Sequence, residues 1–162
     1  MALSQAALKS PLEASLSSYP ASATIAAQGW ADAIASHVGA GQSPQGVPPT
    51  PASVAGGKAA LASSIASAFG AGSASGAASG VASAVATFYQ ALLFTGATPG
   101  TVTGVTGAAA LSTALASAFN DNAANSVTMA QAADRFASAI HACAQTVIVT
   151  HVPPSAVTGP LT

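Results

Sequence analysis

The stretch GKAALASSIASAF (Gly57 to Phe69) returns later in the chain as GAAALSTALASAF (Gly107 to Phe119). Leu61, Ile65 and Phe69 in the first copy, and Leu111, Leu115 and Phe119 in the second, recur at four-residue spacing, which puts them on one face of a helix. Each copy follows the same punctuation, TPASVAG at Thr50 to Gly56 and TPGTVTG at Thr98 to Gly104. A further apolar helix comes after each, and FYQAL (Phe88 to Leu92) matches FASAI (Phe136 to Ile140). WADAI (Trp30 to Ile34) resembles both, and PPSAVTG (Pro153 to Gly159) repeats the punctuation at the end. This pattern predicts three αα-hairpins of roughly fifty residues each, a period in the range of helical repeat units.

Working outward, the remaining helices are marked by stripes and stop signals. Leu8, Leu12 and Leu16 share a face, with Ser10, Pro11 and Glu13 placed as a helix start or kink. Ser22 is a plausible N-cap for a second helix whose face is Ala26, Trp30, Ala33, Ile34 and Val38, stopped at Gly39. Val81, Val85, Phe88 and Leu92 line a fourth helix ending near Gly96, and Asn120 is read as the stop of the fifth. The sixth opens with a Thr128/Gln131 capping box and carries the cleanest stripe: Met129, Ala133, Phe136, Ile140, Cys143 and Val147. Beyond it, TVIVTHV (Thr146 to Val152) alternates and is β-branched, which predicts an extended tail. The segment Gly70 to Gly80, GAGSASGAASG, reads as a flexible linker, because each interior Gly costs a helix about 1 kcal/mol relative to Ala. Its alternative is a helix whose overlapping GxxxG steps, Gly72, Gly76 and Gly80, permit close packing. The expected architecture is therefore all-α: about six short helices in three antiparallel hairpins (4–39, 52–96 and 105–147) in one helical unit over 1–162, with an extended tail at 148–162.

Composition restricts the function. The chain has three Lys plus Arg and four Asp plus Glu among 162 residues, a net charge of −1 and a mean hydropathy of +0.54. Three basic side chains are too few to neutralise a run of phosphates, so nucleic acid is not an expected partner. A free monomer ordinarily carries a surface about a quarter to a third charged, so much of this exterior is expected to face other subunits. The best membrane-span candidate, Val81 to Ala97, is short, holds Tyr89 and Gln90 at its centre and lacks flanking Lys or Arg, so no membrane span is expected. Lys9 and Glu13 fall where the apolar core of a secretory signal would lie, so none is expected.

No catalytic constellation is legible. His141 and Cys143 are two apart on one helix and so point to different faces, which is unsuitable for joint metal ligation. There is no nucleophile elbow, no phosphate loop and no sequence-adjacent carboxylate pair. The reading is non-enzymatic, with no cofactor, no metal and no small-molecule substrate. Candidate interface residues are Trp30, the single Trp, which reads first as a core residue of the first hairpin and alternatively as an interface anchor, and Val47 in the Pro-rich loop Gly39 to Pro51. Asp134 and Arg135 are a candidate register-fixing pair, and Val147, Val149, His151 and Val152 belong to the tail, a strand suited to pairing with a neighbouring subunit's sheet edge.

The opening LKSPLEASL, the WADAI helix followed by a Pro-rich loop, the ALASAF helices and the closing run into TVIVTHVPP together resemble a group of small Ala/Ser/Thr-rich virion structural proteins of tailed bacteriophages. The resemblance implies a structural subunit of a multi-copy assembly in the tail, baseplate or neck. Its partners would be copies of itself and other virion proteins, its location the virion assembled in the host cytoplasm, and it brings no catalytic residues. The alternative is a secreted or host-surface interaction module similar to the mycobacterial PE-type helical hairpins.

Overall fold

A computed structural model describes residues 3–17, 21–96, 98–124, 127–152 and 157–162. The six helices are α1 (Gln5–Ser17), α2 (Ala23–Gly39), α3 (Pro51–Phe69), α4 (Ala74–Gln90), α5 (Ala108–Ala124) and α6 (Met129–Ala144). Caps set several of their starts. Ser22 accepts from the Ile25 N–H, Thr50 from Ser53 with Pro51 at the first helical position, and Ser73 from Gly76. Thr128 and Gln131 form the full capping box. Each such cap satisfies an amide that the first helical turn leaves without a partner. The expected start or kink at Ser10-Pro11 does not divide α1, which runs through Pro11. α5 continues past Asn120 to Ala124, and α4 stops at Gln90, leaving Leu92 buried just beyond it.

Each helix packs against its neighbours in the chain, and α6 packs against α1, so the helices close into a ring. The ring alternates. α2, α4 and α6 bury eight, seven and eight residues, whereas α1, α3 and α5 bury two, three and three, so the even helices form the inner layer. Trp30 on α2 joins the layers, with its ring 4.9 Å from Phe136 (α6), 5.5 Å from Phe69 (α3) and 6.4 Å from Phe119 (α5).

The threefold repeat is real, but its register differs from the sequence reading. WADAIASHVG (30–39), VASAVATFYQ (81–90) and FASAIHACAQ (136–145) share one alternation of inward and outward positions, interrupted only at Ala35. LKSPLEASLS (8–17), LASSIASAFG (61–70) and LSTALASAFN (111–120) share a second, interrupted only at Ser15. Phe88 therefore corresponds to Cys143, and the FYQAL–FASAI match slips by two helical turns. Glycines confirm the register independently. A Cβ on Gly29 would collide with Ser15, and one on Gly80 would lie 2.6 Å from the Ala68 Cβ; these are corresponding positions of the first two hairpins. In the third hairpin Arg135 occupies the place of Gly29 and Gly80. The Gly70 to Gly80 segment is thus not a linker. Gly72, at φ 71°, makes the turn, and the helix begins at Ala74 with Gly76 and Gly80 inside it. The close approach of α3 and α4 at Gly80 outweighs the propensity cost.

A four-stranded antiparallel sheet, absent from the sequence reading, covers one end of the ring. It comprises β1 (Leu93–Phe94), β2 (Gly100–Val105), β3 (Val147–His151) and β4 (Thr158–Pro160), in the order β1-β2-β3-β4. The Gly/Thr/Pro loop before α5 is β2, because β3 offers it a paired edge from Gly100↔His151 to Val105↔Val147, with a bulge between Val102 and Gly104. The three long connections meet here. Gln42 exchanges backbone hydrogen bonds with Thr162 at 2.6 and 2.9 Å, and the Thr50 amide donates to the Leu93 carbonyl at 2.7 Å.

Candidate functional site

The cap settles the tail residues first. β3 alternates strictly, so Val147, Val149 and His151 point into the molecule and are buried, while Ile148 and Thr150 face outward. The tail strand expected to pair with a neighbour is paired within its own chain, between β2 and β4. Val147, Val149 and His151 are therefore core residues and not contact residues. The burial that gives β3 its apolar alternation is the same burial that removes it from a partner's reach. Val152, at the end of this strand, is exposed.

Trp30 is 2% exposed and stands at the junction of the two helical layers, so it is the core residue of the first reading and not an interface anchor. Val47 is half-buried against the core, 2.8 Å from where a Cβ on Gly96 would lie. Asp134 and Arg135 are exposed, and their charges are engaged within the chain. Asp134 meets Lys9 at 3.4 Å and accepts from Gln5 at 3.3 Å, tying α6 to α1. Arg135 meets Asp121 at 3.5 Å and donates to Asn122 at 3.2 Å, tying α6 to α5. A third pair, Lys58 and Asp32 at 2.8 Å, crosses between α3 and α2. Six of the seven charged side chains are thus paired with one another. Exposed pairs of this kind contribute about 0–1 kcal/mol each, so their effect is to quench the surface charge more than to hold the fold.

The exterior is consequently small and neutral. A groove of about 770 Å³ runs between α2 and α3, lined by Ala55, Ala59, Ala62, Ser63 and Ala66 and crossed by the Asp32–Lys58 pair. The outer face of the sheet carries one cross-strand row, Leu93, Thr101, Thr150 and Thr158. The Thr150 hydroxyl lies 3.2 Å from that of Thr158 and 3.0 Å from that of Thr103. Leu93, Val152, Val157 and, on α2, Ile25 are the large apolar side chains left exposed among the described residues.

Beneath the cap lies a set of polar side chains that the sequence reading did not join. His37 on α2, 3% exposed, meets His141 on α6, Nε2 to Nδ1, at 3.3 Å. Burial first, and the neighbouring His141 second, lower the His37 pKa to about 4. In the register of the structure His37 takes the inward place that Phe88 and Cys143 take in the other hairpins, a correspondence that the sequence match of Phe88 with Phe136 conceals. Cys143 is buried, and burial pushes its thiol up to about 11. Tyr89 is fully buried with its hydroxyl unpartnered; its pKa is raised by burial, and to a lesser extent by Cys143. His151 bonds the Thr98 carbonyl through Nδ1 at 2.9 Å, while its Nε2 has no partner. No group of three or more His, Cys, Asp or Glu among the described residues is arranged to hold a metal, and no helix among them is long and apolar enough to cross a membrane.

No family model, no curated protein and no solved structure matches this chain.

Proposed function

We propose that the chain is a non-enzymatic structural subunit of a multi-copy assembly, and more narrowly a bacteriophage virion protein of the tail, baseplate or neck, acting by subunit packing. One observation carries the reading: a nearly charge-free exterior whose few charges quench one another in three intramolecular pairs. Such a surface has neither the repulsion that keeps a monomer apart nor the basic stripe that a nucleic-acid binder needs. It offers the outer face of the sheet and the small-residue groove between α2 and α3 as neutral packing surfaces. Their partners would be copies of this chain and other uncharged subunits.

The test is mass spectrometry of purified particles from the genome that encodes the chain, with the isolated protein examined by light scattering. The chain is expected in the particle at many copies. Its absence from intact particles overturns the virion reading, and its export from a host cell without particles points to a secreted interaction module.

A further inference from the structure

The contact between α6 and α1 differs from the other five around the ring in having no covalent connection. Along the helices the last hairpin is held to the first by side chains, and beyond them the Gln42–Thr162 backbone bonds link the two through the cap. Outside, Asp134 takes Lys9 and Gln5. Inside, His141 meets His37 across 104 residues of chain, and Trp30 packs on Phe136. The His pair is peculiar to this seam. At the places corresponding to His37 and His141 the second hairpin has Phe88 and Ala86, both on α4 and neither of them titratable.

We propose that the His37–His141 pair is an acid-sensitive latch, and that proton uptake by it releases the last hairpin from the first and opens the ring at the α6–α1 seam. The two rings share one hydrogen bond, which needs a donor on one side and a bare nitrogen on the other. A proton on the bare nitrogen leaves two donors facing each other in a place where His37 has almost no access to water. Other charges do not rescue it. On α2 and the helices around it the titratable side chains besides His37 are Asp32 on α2, Lys9 and Glu13 on α1, Lys58 on α3, Asp121 on α5, and Asp134, Arg135, His141 and Cys143 on α6. Lys9, Lys58, Asp134 and Arg135 are committed to the exposed ion pairs, and His141 is the group that acts on His37.

The sign follows from linkage. His37 is held at about 4 in the closed ring, against 6.5 when freely solvated, so the opened form binds the proton at the higher pH. The closed form keeps its full advantage above pH 6.5 and loses it as pH falls toward 4. A single proton makes opening up to about tenfold more favourable per pH unit within that window, or about fifteenfold between pH 6.5 and 5. Opening would bare the inner faces of α2 and α6, the most buried surfaces of the two hairpins.

The experiment is hydrogen exchange by mass spectrometry on the full chain from pH 7.5 to 4.5, corrected for the intrinsic rate, with Trp30 fluorescence as a reporter at the same seam. Loss of protection is expected in α6 and the second half of α2 below pH 6.5, while α4 keeps its protection. The variant H37F/H141A, which installs the second hairpin's own residues, is expected to be flat across the window and folded at pH 7.5. If that variant does not fold, H37F alone serves, since it removes the buried titrating ring and puts the second hairpin's Phe in its place; its α6 protection is expected to lose its pH dependence below 6.5. The proposal is overturned if α4 loses protection in parallel with α6, or if the folded variant follows the wild-type pH profile.

Discussion

Thr50 to Gly56 and Thr98 to Gly104 share four of seven residues, TPASVAG against TPGTVTG, yet the first is the opening turn of α3 and the second is strand β2. The difference lies at three positions: Ala52, Ser53 and Ala55 against Gly100, Thr101 and Thr103. Gly and β-branched residues weaken a helix by up to about 1 kcal/mol each and favour or tolerate an extended chain. Local preference is only half of the account. Pro51 starts a helix that runs on to Phe69 through Ala-rich sequence, whereas Gly107 interrupts the chain before α5. β2 also has β3 beside it along its whole length, whereas the TPASVAG segment borders the two-residue β1, which the Thr50 amide and the Ser53 hydroxyl reach at Leu93. The same punctuation therefore marks a boundary in both places without specifying what crosses it.

The largest effect is expected from Gly100→Ala. A Cβ at Gly100 would lie 2.6 Å from Cε1 of His151, a ring fully buried and fixed by its bond to the Thr98 carbonyl. Overpacking of this kind costs about 1–3 kcal/mol. In a chain of this size that lowers Tm by roughly 3 to 10 °C, to be read by thermal denaturation. An unchanged Tm would show that the strand does not depend on the space left by the missing side chain.

Next in size is the triple exchange Ala52→Gly, Ser53→Thr, Ala55→Thr, which makes the first segment identical to the second. We expect α3 to fray at its first turn, with a loss of about 1–2 kcal/mol from propensity, and no strand to appear in backbone chemical shifts. A strand at 50–56 would mean that local sequence, and not the β3 edge, decides between the two outcomes.

The pair of segments also explains what could be read in advance. Helices announced themselves where a stripe and a cap coincided, as at Ser22 and at Thr128 with Gln131, because both signals act within a few residues. β2 was hidden because its stability comes from β3, more than forty residues away, and a Gly/Thr run alone looks like a loop. The register of the repeat slipped because Ala and Ser occupy inward and outward positions alike, so only Trp30, Val81 and Phe136, seen together in three dimensions, fix it. Burial of the tail was hidden for a related reason. The alternation of Val147, Val149 and His151 shows that one face is covered but not whether the same chain covers it. The His37–His141 pair was out of reach, since nothing in either neighbourhood refers to the other.

The smallest effect concerns the threonine that opens both segments. Thr50 caps α3 through its hydroxyl, which accepts from the Ser53 amide at 3.2 Å and lies 2.9 Å from the Ser53 hydroxyl. Ser53 in turn accepts from the Leu93 amide at 3.2 Å, so the cap is tied to the first strand of the sheet. Thr98 is used differently: it is buried, and its hydroxyl donates to Gln45 in the Pro-rich loop at 2.7 Å. Thr50→Ala is expected to cost about 1 kcal/mol, the usual loss for an N-cap, and to increase amide exchange at Ser53 and Val54. The Thr50 amide still reaches the Leu93 carbonyl in that variant, so β1 is expected to hold. Loss of protection at Leu93 and Phe94 as well would show that the helix cap, and not the backbone bond, is what fastens the sheet to α3. A loss confined to the first turn leaves the two threonines with separate duties, one closing a helix and the other joining two loops of the cap.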